Sequence, residues 1–135
     1  MLTEEIQLNV DAKADGTTIP VAFTRFDGSI PNRSIYIQRD EHTLAHHRKL
    51  TFYRALPKKA GTSKGTAKCR FKFSSEHSIA GVDGTAVLTL PAIVEVAFSL
   101  PVGLSPEDTL FMVQQAVALM SSRSVIDPLT LRQEI

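Results

Sequence analysis

Nine basic residues stand close together in the middle of the chain and could bind a row of phosphates. No Asp or Glu interrupts them; they are Arg48, Lys49, Arg54, Lys58, Lys59, Lys64, Lys68, Arg70 and Lys72. The whole chain has a formal net charge of +1, which is +9 in this run and −8 elsewhere. Because lysine and arginine neutralise phosphates and release counterions, the run indicates a surface for a polyanion such as nucleic acid.

The second half of the basic run alternates in the way that a β-strand does. Lys68, Arg70 and Lys72 are separated by Cys69 and Phe71. Successive side chains of a strand point to opposite faces, so one face would be apolar and the other would present three cations. The simpler alternative is a solvated face whose lysines discourage edge pairing. The absence of acids from the run favours nucleic-acid binding.

Period-two alternation predicts six or seven strands before the pattern changes near residue 105. The segments with the clearest alternation are residues 6–10, 18–24, 34–38, 48–56, 66–74 and 93–100. Asp15 and Gly16 predict a tight turn between the first two strands, and Pro20 predicts an edge or a bulge in the second. Residues 75–89 are predicted to form a long loop with strand character at its end.

Helical spacing begins at Ser105, which supplies a capping hydroxyl and is followed by Pro106 and two acids. Apolar residues then recur with helical spacing at Leu110, Val113, Val117 and Met120. A second helix is predicted to restart at Asp127 and Pro128. The predicted fold class is therefore α+β. An antiparallel sheet, made of an N-terminal hairpin and about five further strands, precedes two C-terminal α-helices.

The apolar stripe of the helices needs a partner, because an isolated helix of this length is marginal in water. The aromatic side of the sheet is the predicted partner, and its residues are Phe52, Phe71, Phe73 and Phe98. This layering would leave the face of Lys68, Arg70 and Lys72 uncovered.

The composition predicts a single globular domain spanning residues 1–135, with 43% apolar and 21% charged residues. A single cysteine excludes an internal disulfide and fits an intracellular protein. Residues 1–5 lack the basic and apolar regions of a signal peptide. The uncharged stretch 84–94 is too short to span a bilayer. We expect a soluble protein with no membrane partner.

No catalytic, metal-binding or cofactor-binding constellation is visible in the sequence. The histidines lack the spacing of a zinc site and are expected in loops; they are His42, His46, His47 and His77. Cys69 is predicted to be buried beside Phe71 and unreactive. Glu95 has two open interpretations, a salt bridge to a neighbouring basic residue or a hydrogen-bond acceptor for the amino group of a base.

Several segments carry a resemblance. They are the strand Ile93-Val-Glu-Val-Ala-Phe-Ser-Leu, the helix start Leu104-Ser-Pro-Glu-Asp-Thr-Leu-Phe-Met-Val, the stretch Ala116-Val-Ala-Leu-Met-Ser-Ser-Arg-Ser-Val-Ile-Asp127, and the hairpin of Arg48-Lys-Leu-Thr-Phe-Tyr-Arg-Ala-Leu-Pro57 with Ala67-Lys-Cys-Arg-Phe-Lys-Phe73. In sequence and in element order they resemble the coat proteins of single-stranded RNA bacteriophages, the levivirus type. The resemblance covers nearly the whole chain and is most specific in the C-terminal half.

The resemblance implies a viral coat protein with no enzymatic activity and no cofactor. Such proteins form homodimers with one continuous ten-stranded sheet, and the C-terminal helices of each chain pack across the partner. Dimers assemble into an icosahedral shell around the genomic RNA. One dimer binds an RNA stem-loop at the start of the replicase gene and represses translation of the replicase. The virion, assembled in the cytoplasm of a bacterial host, would also hold a single-copy maturation protein. Residues 75–90 would form the loop around the symmetry axes.

The resemblance also implies which residues face the RNA. Carried over by strand position, they are Lys49, Thr51, Tyr53 and Ala55, then Lys68, Arg70 and Lys72, then Ile93, Glu95 and Ala97, with Ile35 at the edge. Tyr53 departs from the family pattern because a small hydroxyl residue is common there. Ile93 replaces an aromatic that stacks on a base, and Lys68 replaces a threonine of an adenine pocket. The hairpin specificity of the family is therefore not transferred.

The runner-up is a cellular RNA-binding module that uses an exposed basic β-sheet, and a small enzyme comes third. Sheet-based RNA-binding modules place aromatic pairs on the binding face, whereas Tyr53 is the only aromatic residue expected there. Arg54 falls on the apolar side by alternation. It would either reach solvent at the end of its strand or pair across the dimer.

Overall fold

The computed structural model describes residues 2–134, and within them six strands precede two helices. The strands are β1 (Glu5–Val10), β2 (Ile19–Asp27), β3 (Arg33–Gln38), β4 (Arg48–Ala55), β5 (Thr66–Ala80) and β6 (Val87–Pro101). The helices are α1 (Pro106–Ser121) and α2 (Arg123–Arg132). The predicted α+β class is confirmed. The predicted N-terminal hairpin, β1 and β2, belongs to the same sheet as the other strands. Four strands follow the hairpin, one fewer than the five predicted.

The six strands form one antiparallel sheet, and their order across the sheet is their order along the chain. The turn between β1 and β2 lies where Asp15 and Gly16 predicted it. Both of their backbone N–H groups donate to the Asp11 carboxylate, at 3.0 and 2.9 Å, and Gly16 has a φ of 90°. Pro20 has no backbone N–H to donate. It lies opposite β1, and β2 pairs with β3 only from Phe23 onward, so no hydrogen bond to β3 is lost at Pro20.

The predicted long loop at residues 75–89 is wrong, because β5 continues to Ala80 and β6 already begins at Val87. The polar residues at 75–78 hid the alternation, yet their backbone stays extended. The true turn is short: the N–H of Gly81 donates to the Ala86 carbonyl at 2.7 Å. The carboxylate of Asp83 accepts from two further N–H groups of the same turn. The loop expected around a symmetry axis therefore shrinks to residues 81–86.

The described residues divide into two compact units. The first consists of residues 2–56 and 67–99 and contains most of the sheet. Its core is formed by three buried side chains, Phe23, Tyr36 and Leu50. Partly buried apolar residues pack against these three; they are Ile6, Leu8, Val21, Phe52, Phe71 and Phe73. The core therefore lies on one face of the sheet, and that face continues into the row of phenylalanines.

Tyr36 is the most deeply buried side chain of this core, with 0% of its surface exposed. It stands opposite Leu50 on β4, and its ring meets that of Phe52 edge to face at 5.5 Å between centroids. Its hydroxyl donates to the Thr3 carbonyl and accepts from Nη2 of Arg25 at 3.3 Å. The buried polar atom is thus satisfied, which its burial requires.

The second unit consists of residues 57–66 and 100–134 and contains both helices. α1 begins as predicted: the Ser105 hydroxyl accepts from the N–H of Asp108 at 3.1 Å, and Pro106 occupies the first helical position. The restart predicted at Asp127 and Pro128 is wrong, because α2 begins at Arg123 and contains Pro128. An ion pair of 3.0 Å between Arg123 and Asp127 joins one turn of α2 to the next.

Neither helix contains a buried residue. Large apolar side chains of α1 are about half exposed, including Leu110 at 60%, Phe111 at 65% and Val117 at 49%. Among residues 2–134, no helix combines the length and the hydropathy that a membrane crossing requires. The prediction that the helices cover the aromatic side of a sheet stays a prediction.

Candidate nucleic-acid interface

The strand register places the predicted RNA-facing residues of β4 and β5 on one side of the sheet. Residues that stand directly opposite each other in an antiparallel pair share a face. Three such pairs are Thr51 with Lys72, Tyr53 with Arg70, and Ala55 with Lys68, and Lys49 stands opposite Ser74. We call this side, defined by Lys49, Thr51, Tyr53, Lys68, Arg70 and Lys72, the basic face. The grouping predicted from alternation is confirmed.

β3 extends the basic face by one strand. Ile35 stands opposite Thr51, which supports its expected place at the edge of the face, and Ile37 stands opposite Lys49. The side chain of Thr51 lies between Ile35 and Lys72 in this row, and only 6% of the residue is exposed. Thr51 is therefore less accessible than a surface contact residue usually is.

Arg33 belongs to the basic face and was missed by the sequence analysis. It stands opposite Tyr53, one strand away on the other side from Arg70. Extending the alternation of Ile35 and Ile37 by two residues toward the N-terminus would have found it. Asp27 stands opposite Ile35 and therefore also lies on the basic face, which the alternation did not predict. Hydrogen bonds from Ser29 hold the pKa of its carboxyl below the usual value, and the nearby Arg33 adds to the effect.

Tyr53 lies among cations. The guanidinium carbon of Arg70 is 4.3 Å from the centroid of the Tyr53 ring, and Nζ of Lys72 is 5.8 Å from it. Both distances fall within the range of a cation–π interaction, which contributes about 0.5–1 kcal/mol at an exposed site. One side of the tyrosine ring is therefore engaged by Arg70.

Glu95 of β6 joins the basic face through an ion pair with Arg70. Its Oε1 accepts from Nη1 of Arg70 at 3.0 Å, and the two side chains are 38% and 49% exposed. The salt-bridge interpretation of Glu95 is confirmed, and the contact with a base stays a prediction. Ile93 and Ala97 follow onto the same face by alternation, and Ile93 is 54% exposed.

The opposite face carries the aromatic residues. Phe71 contacts Phe52, Phe73 and Phe98, with ring centroids 5.8 to 6.3 Å apart. A hollow of about 770 Å³ opens beside them, lined among others by Ser34, Phe52, Phe71 and Phe98. Half-buried phenylalanines around a hollow of this size resemble one half of an interface.

The prediction that Cys69 is buried is wrong, because the thiol is free and exposed. It stands opposite Arg54 near the end of β4, beyond the packed phenylalanines, where alternation no longer implies burial. Arg54 is exposed, and its Nε donates to Oδ1 of Asn32 at 3.0 Å. The first of the two readings of Arg54, solvent access at the strand end, is therefore the one observed within this chain.

Three of the four histidines, His42, His46 and His47, lie in the loop before β4 as predicted, whereas His77 lies in β5 and not in a loop. The rings of His42 and His47 stack with centroids 5.2 Å apart. Nδ1 of His42 accepts from the N–H of Arg48 at 3.0 Å, and Nδ1 of His47 lies 3.3 Å from Glu76. Across the described residues, no group of His, Cys, Asp and Glu has the arrangement of a metal site.

Comparison with known proteins gives matches in structure alone. No protein-family model and no curated protein sequence matches the chain. The virus-like particle of Wenzhou levi-like virus 4 is 20% identical, with a TM-score of 0.71 over 96% of this chain and 85% of the other. The virus-like particle of bacteriophage ESE058 is 14% identical, with a TM-score of 0.75 over 100% and 99%. The coat protein of bacteriophage EMS014 is 16% identical, with a TM-score of 0.59 over 89% and 74%.

At these identities the likeness concerns the fold. It extends over nearly the full length of this chain and of the ESE058 chain. The element order that matches, an antiparallel sheet followed by two C-terminal helices, is also the feature that carried the resemblance in the sequence. The chain therefore has the fold of the coat proteins and virus-like particles of levi-like bacteriophages.

Proposed function

We propose that this chain is a coat protein that forms dimers, assembles into an icosahedral shell and binds single-stranded RNA on the basic face. The observation that carries the proposal is the position of five cations on one face of a sheet with this fold. They are Arg33, Lys49, Lys68, Arg70 and Lys72. This is a structural and RNA-binding role with no catalytic step.

The exposed apolar side chains of α1 support self-assembly. Leu110 and Val117, members of the predicted stripe, are 60% and 49% exposed. Contiguous apolar patches on a soluble chain mark interaction sites, because leaving them in water is costly. The partner we propose is a second copy, whose hollow between Phe52, Phe71 and Phe98 would receive the helices.

The edge of the sheet supports the same dimer. β6 is the last strand in the sheet order and is 15 residues long. A long edge strand presents unpaired N–H and C=O groups that pair readily with another chain. Antiparallel pairing of two β6 strands would join two six-stranded sheets into one continuous sheet of twelve strands, two more than the ten that the resemblance implies, with the two basic faces on the same side.

The two basic faces would then line the inside of the shell and hold the genomic RNA. Flexible lysines suit this task, since phosphate contacts position the RNA and carry no sequence information. We further propose that one dimer binds an RNA stem-loop at the replicase start, which marks the genome for packaging and represses translation. In the virion, assembled in the host cytoplasm, a single-copy maturation protein would complete the shell.

Nuclease protection tests this proposal. Full-length protein expressed in bacteria should co-purify with RNA that resists ribonuclease until the protein is denatured. A variant with Lys68→Glu and Lys72→Glu should assemble with much less protected RNA, because two phosphate-binding cations become anions. Equal protection in the variant and the wild type would exclude the basic face as the RNA surface.

A further inference from the structure

Arg70 differs from the lysines of the basic face because it has two described partners. Its guanidinium lies 4.3 Å from the Tyr53 centroid, and its Nη1 donates to Glu95 at 3.0 Å. Within residues 2–134, Lys49, Lys68 and Lys72 form no ion pair. The ring below and the carboxylate beside it fix the plane of the Arg70 guanidinium, whereas the ammonium of Lys72 has only the contact with the same ring at 5.8 Å, and a lysine ammonium otherwise turns freely on its stem.

The carboxylate of Glu95 makes Arg70 a poor site for phosphate. Together the two side chains have no net charge, and an approaching phosphate would be repelled by Glu95 at short range. Displacing Glu95 would leave its carboxylate without the hydrogen bond at 3.0 Å. The three lysines offer phosphates full positive charges without this competition. The phosphate backbone is therefore expected to bind the lysines in preference to Arg70.

The pair keeps groups that suit a base. A guanidinium has five N–H donors and Arg70 uses one of them on Glu95, so others stay available beside the second oxygen of the Glu95 carboxylate. A donor and an acceptor side by side match the hydrogen-bonding edge of a nucleobase. The flat guanidinium also offers a surface on which an unpaired base can stack, as arginine planes do in RNA recognition.

We propose that Arg70, positioned by Tyr53 and Glu95, binds an unpaired RNA base and not a phosphate, while Lys49, Lys68 and Lys72 bind the backbone. The inference rests on the proposed RNA-binding function of the basic face. It assigns Glu95 a second role, because its carboxylate keeps Arg70 away from phosphates as well as orienting it. Tyr53 acts through Arg70 in this arrangement and is a positioning residue.

The salt dependence of RNA binding separates the two kinds of contact. Each phosphate contact to a single strand contributes about 0.7 to the slope of log K against log salt concentration. Binding of a mixed-sequence single-stranded RNA oligonucleotide to the full-length protein would be measured over a series of KCl concentrations. Lys72→Gln should lower the slope by about 0.7. Arg70→Gln should weaken binding by about tenfold at every salt concentration and leave the slope unchanged.

Two further variants sharpen the test. Glu95→Gln should raise the slope by about 0.7, because the released Arg70 becomes free to bind a phosphate. Arg70→Lys keeps the positive charge but should still bind the RNA more weakly than the wild type does. An oligonucleotide of the same length with abasic riboses should bind the wild type and Arg70→Gln equally. Lys13→Gln, which removes an exposed lysine in the β1–β2 turn, is the matched control.

The outcomes distinguish the inference from the function on which it rests. If Arg70→Gln lowers the slope as much as Lys72→Gln, or Glu95→Gln leaves the slope unchanged, Arg70 is a phosphate contact and the inference is wrong. If neither Arg70→Gln nor Lys72→Gln changes affinity at any salt concentration, the basic face does not bind RNA, and the proposed function fails with it. Circular dichroism of each variant verifies that the sheet is folded.

Discussion

Arg70 and Tyr53 stand opposite each other on β5 and β4, with the guanidinium carbon 4.3 Å from the ring centroid. Alternation along each strand predicted that both residues share a face. It could not predict that the cation would lie over the ring, because that depends on the register between the strands. The contact holds the guanidinium of Arg70 in place, whereas Lys49, Lys68 and Lys72 of the same face form no ion pair among the described residues.

Reversing charges on the basic face should reduce RNA packaging without preventing assembly. Lys49 stands between Ile37 on β3 and Ser74 on β5. Lys49→Glu removes its positive charge from the basic face and adds a carboxylate that repels phosphates. We expect at least about a fivefold loss of co-purified RNA, because each lost phosphate contact weakens binding and the new charge opposes it. The ratio of absorbance at 260 and 280 nm, measured on purified particles, reports this. The control Lys13→Glu should package normally, and an equal loss there would point to net charge alone.

A charge in the apolar stripe of α1 should disrupt the dimer. Leu110 is 60% exposed in the single chain, so Leu110→Glu costs little before association and much after it, when the carboxylate would be buried. The dissociation constant of the dimer should rise by at least about tenfold. Leu44→Glu changes a 96% exposed leucine in the β3–β4 loop and should leave association unchanged. Light scattering coupled to gel filtration measures both, and intact dimers of Leu110→Glu would exclude this stripe from the interface.

Removing the hydroxyl of Tyr36 should destabilise the first unit. The hydroxyl donates to the Thr3 carbonyl and accepts from Arg25. Tyr36→Phe leaves both groups without this partner in a part-buried site, which should lower the free energy of unfolding by about 1–2 kcal/mol. Urea denaturation measures the change. Tyr53→Phe removes a hydroxyl from the surface of the basic face, and its effect should stay within about 0.5 kcal/mol. Equal effects of the two substitutions would contradict this account of the core.

Acid should weaken the β2–β3 connection through Asp27. The pKa of its carboxyl is lowered in the folded chain by hydrogen bonds from Ser29 and by Arg33. A lowered folded pKa means that the unfolded chain binds the proton first, so the contribution to stability is present above the unfolded pKa and is lost as pH falls through the folded one. The urea midpoint should therefore fall between about pH 5 and about pH 3. Asp27→Asn should show a smaller fall, and an identical fall would exclude this carboxyl as a contributor.

The sequence predicted those features that depend on local periodicity. The alternation of Lys68, Arg70 and Lys72 placed them on one face, and the capping signal at Ser105 placed the start of α1 correctly. Features that depend on pairing between strands could not be predicted from local periodicity. The polar residues that extend β5 to Ala80 have no apolar alternation, and their conformation follows from the hydrogen bonds of the neighbouring strands.

In the candidate site, too, local periodicity predicted which face a residue lies on, but not the contacts that depend on strand pairing. Glu95 was expected on the basic face, but the choice of Arg70 as its partner depends on how β5 and β6 lie side by side. Arg33 was missed because the strand that carries it was predicted one residue too short. Cys69 was expected to be buried, since alternation gives the face of a residue but not how far the packed core extends along it.

The most direct test of the account is electron microscopy, with light scattering, of the full-length protein purified from bacteria. We predict closed, uniform shells that contain RNA and dissociate into dimers. A stable monomer that forms no particles at any concentration would contradict the coat-protein proposal and would favour a cellular RNA-binding module built on the same basic sheet.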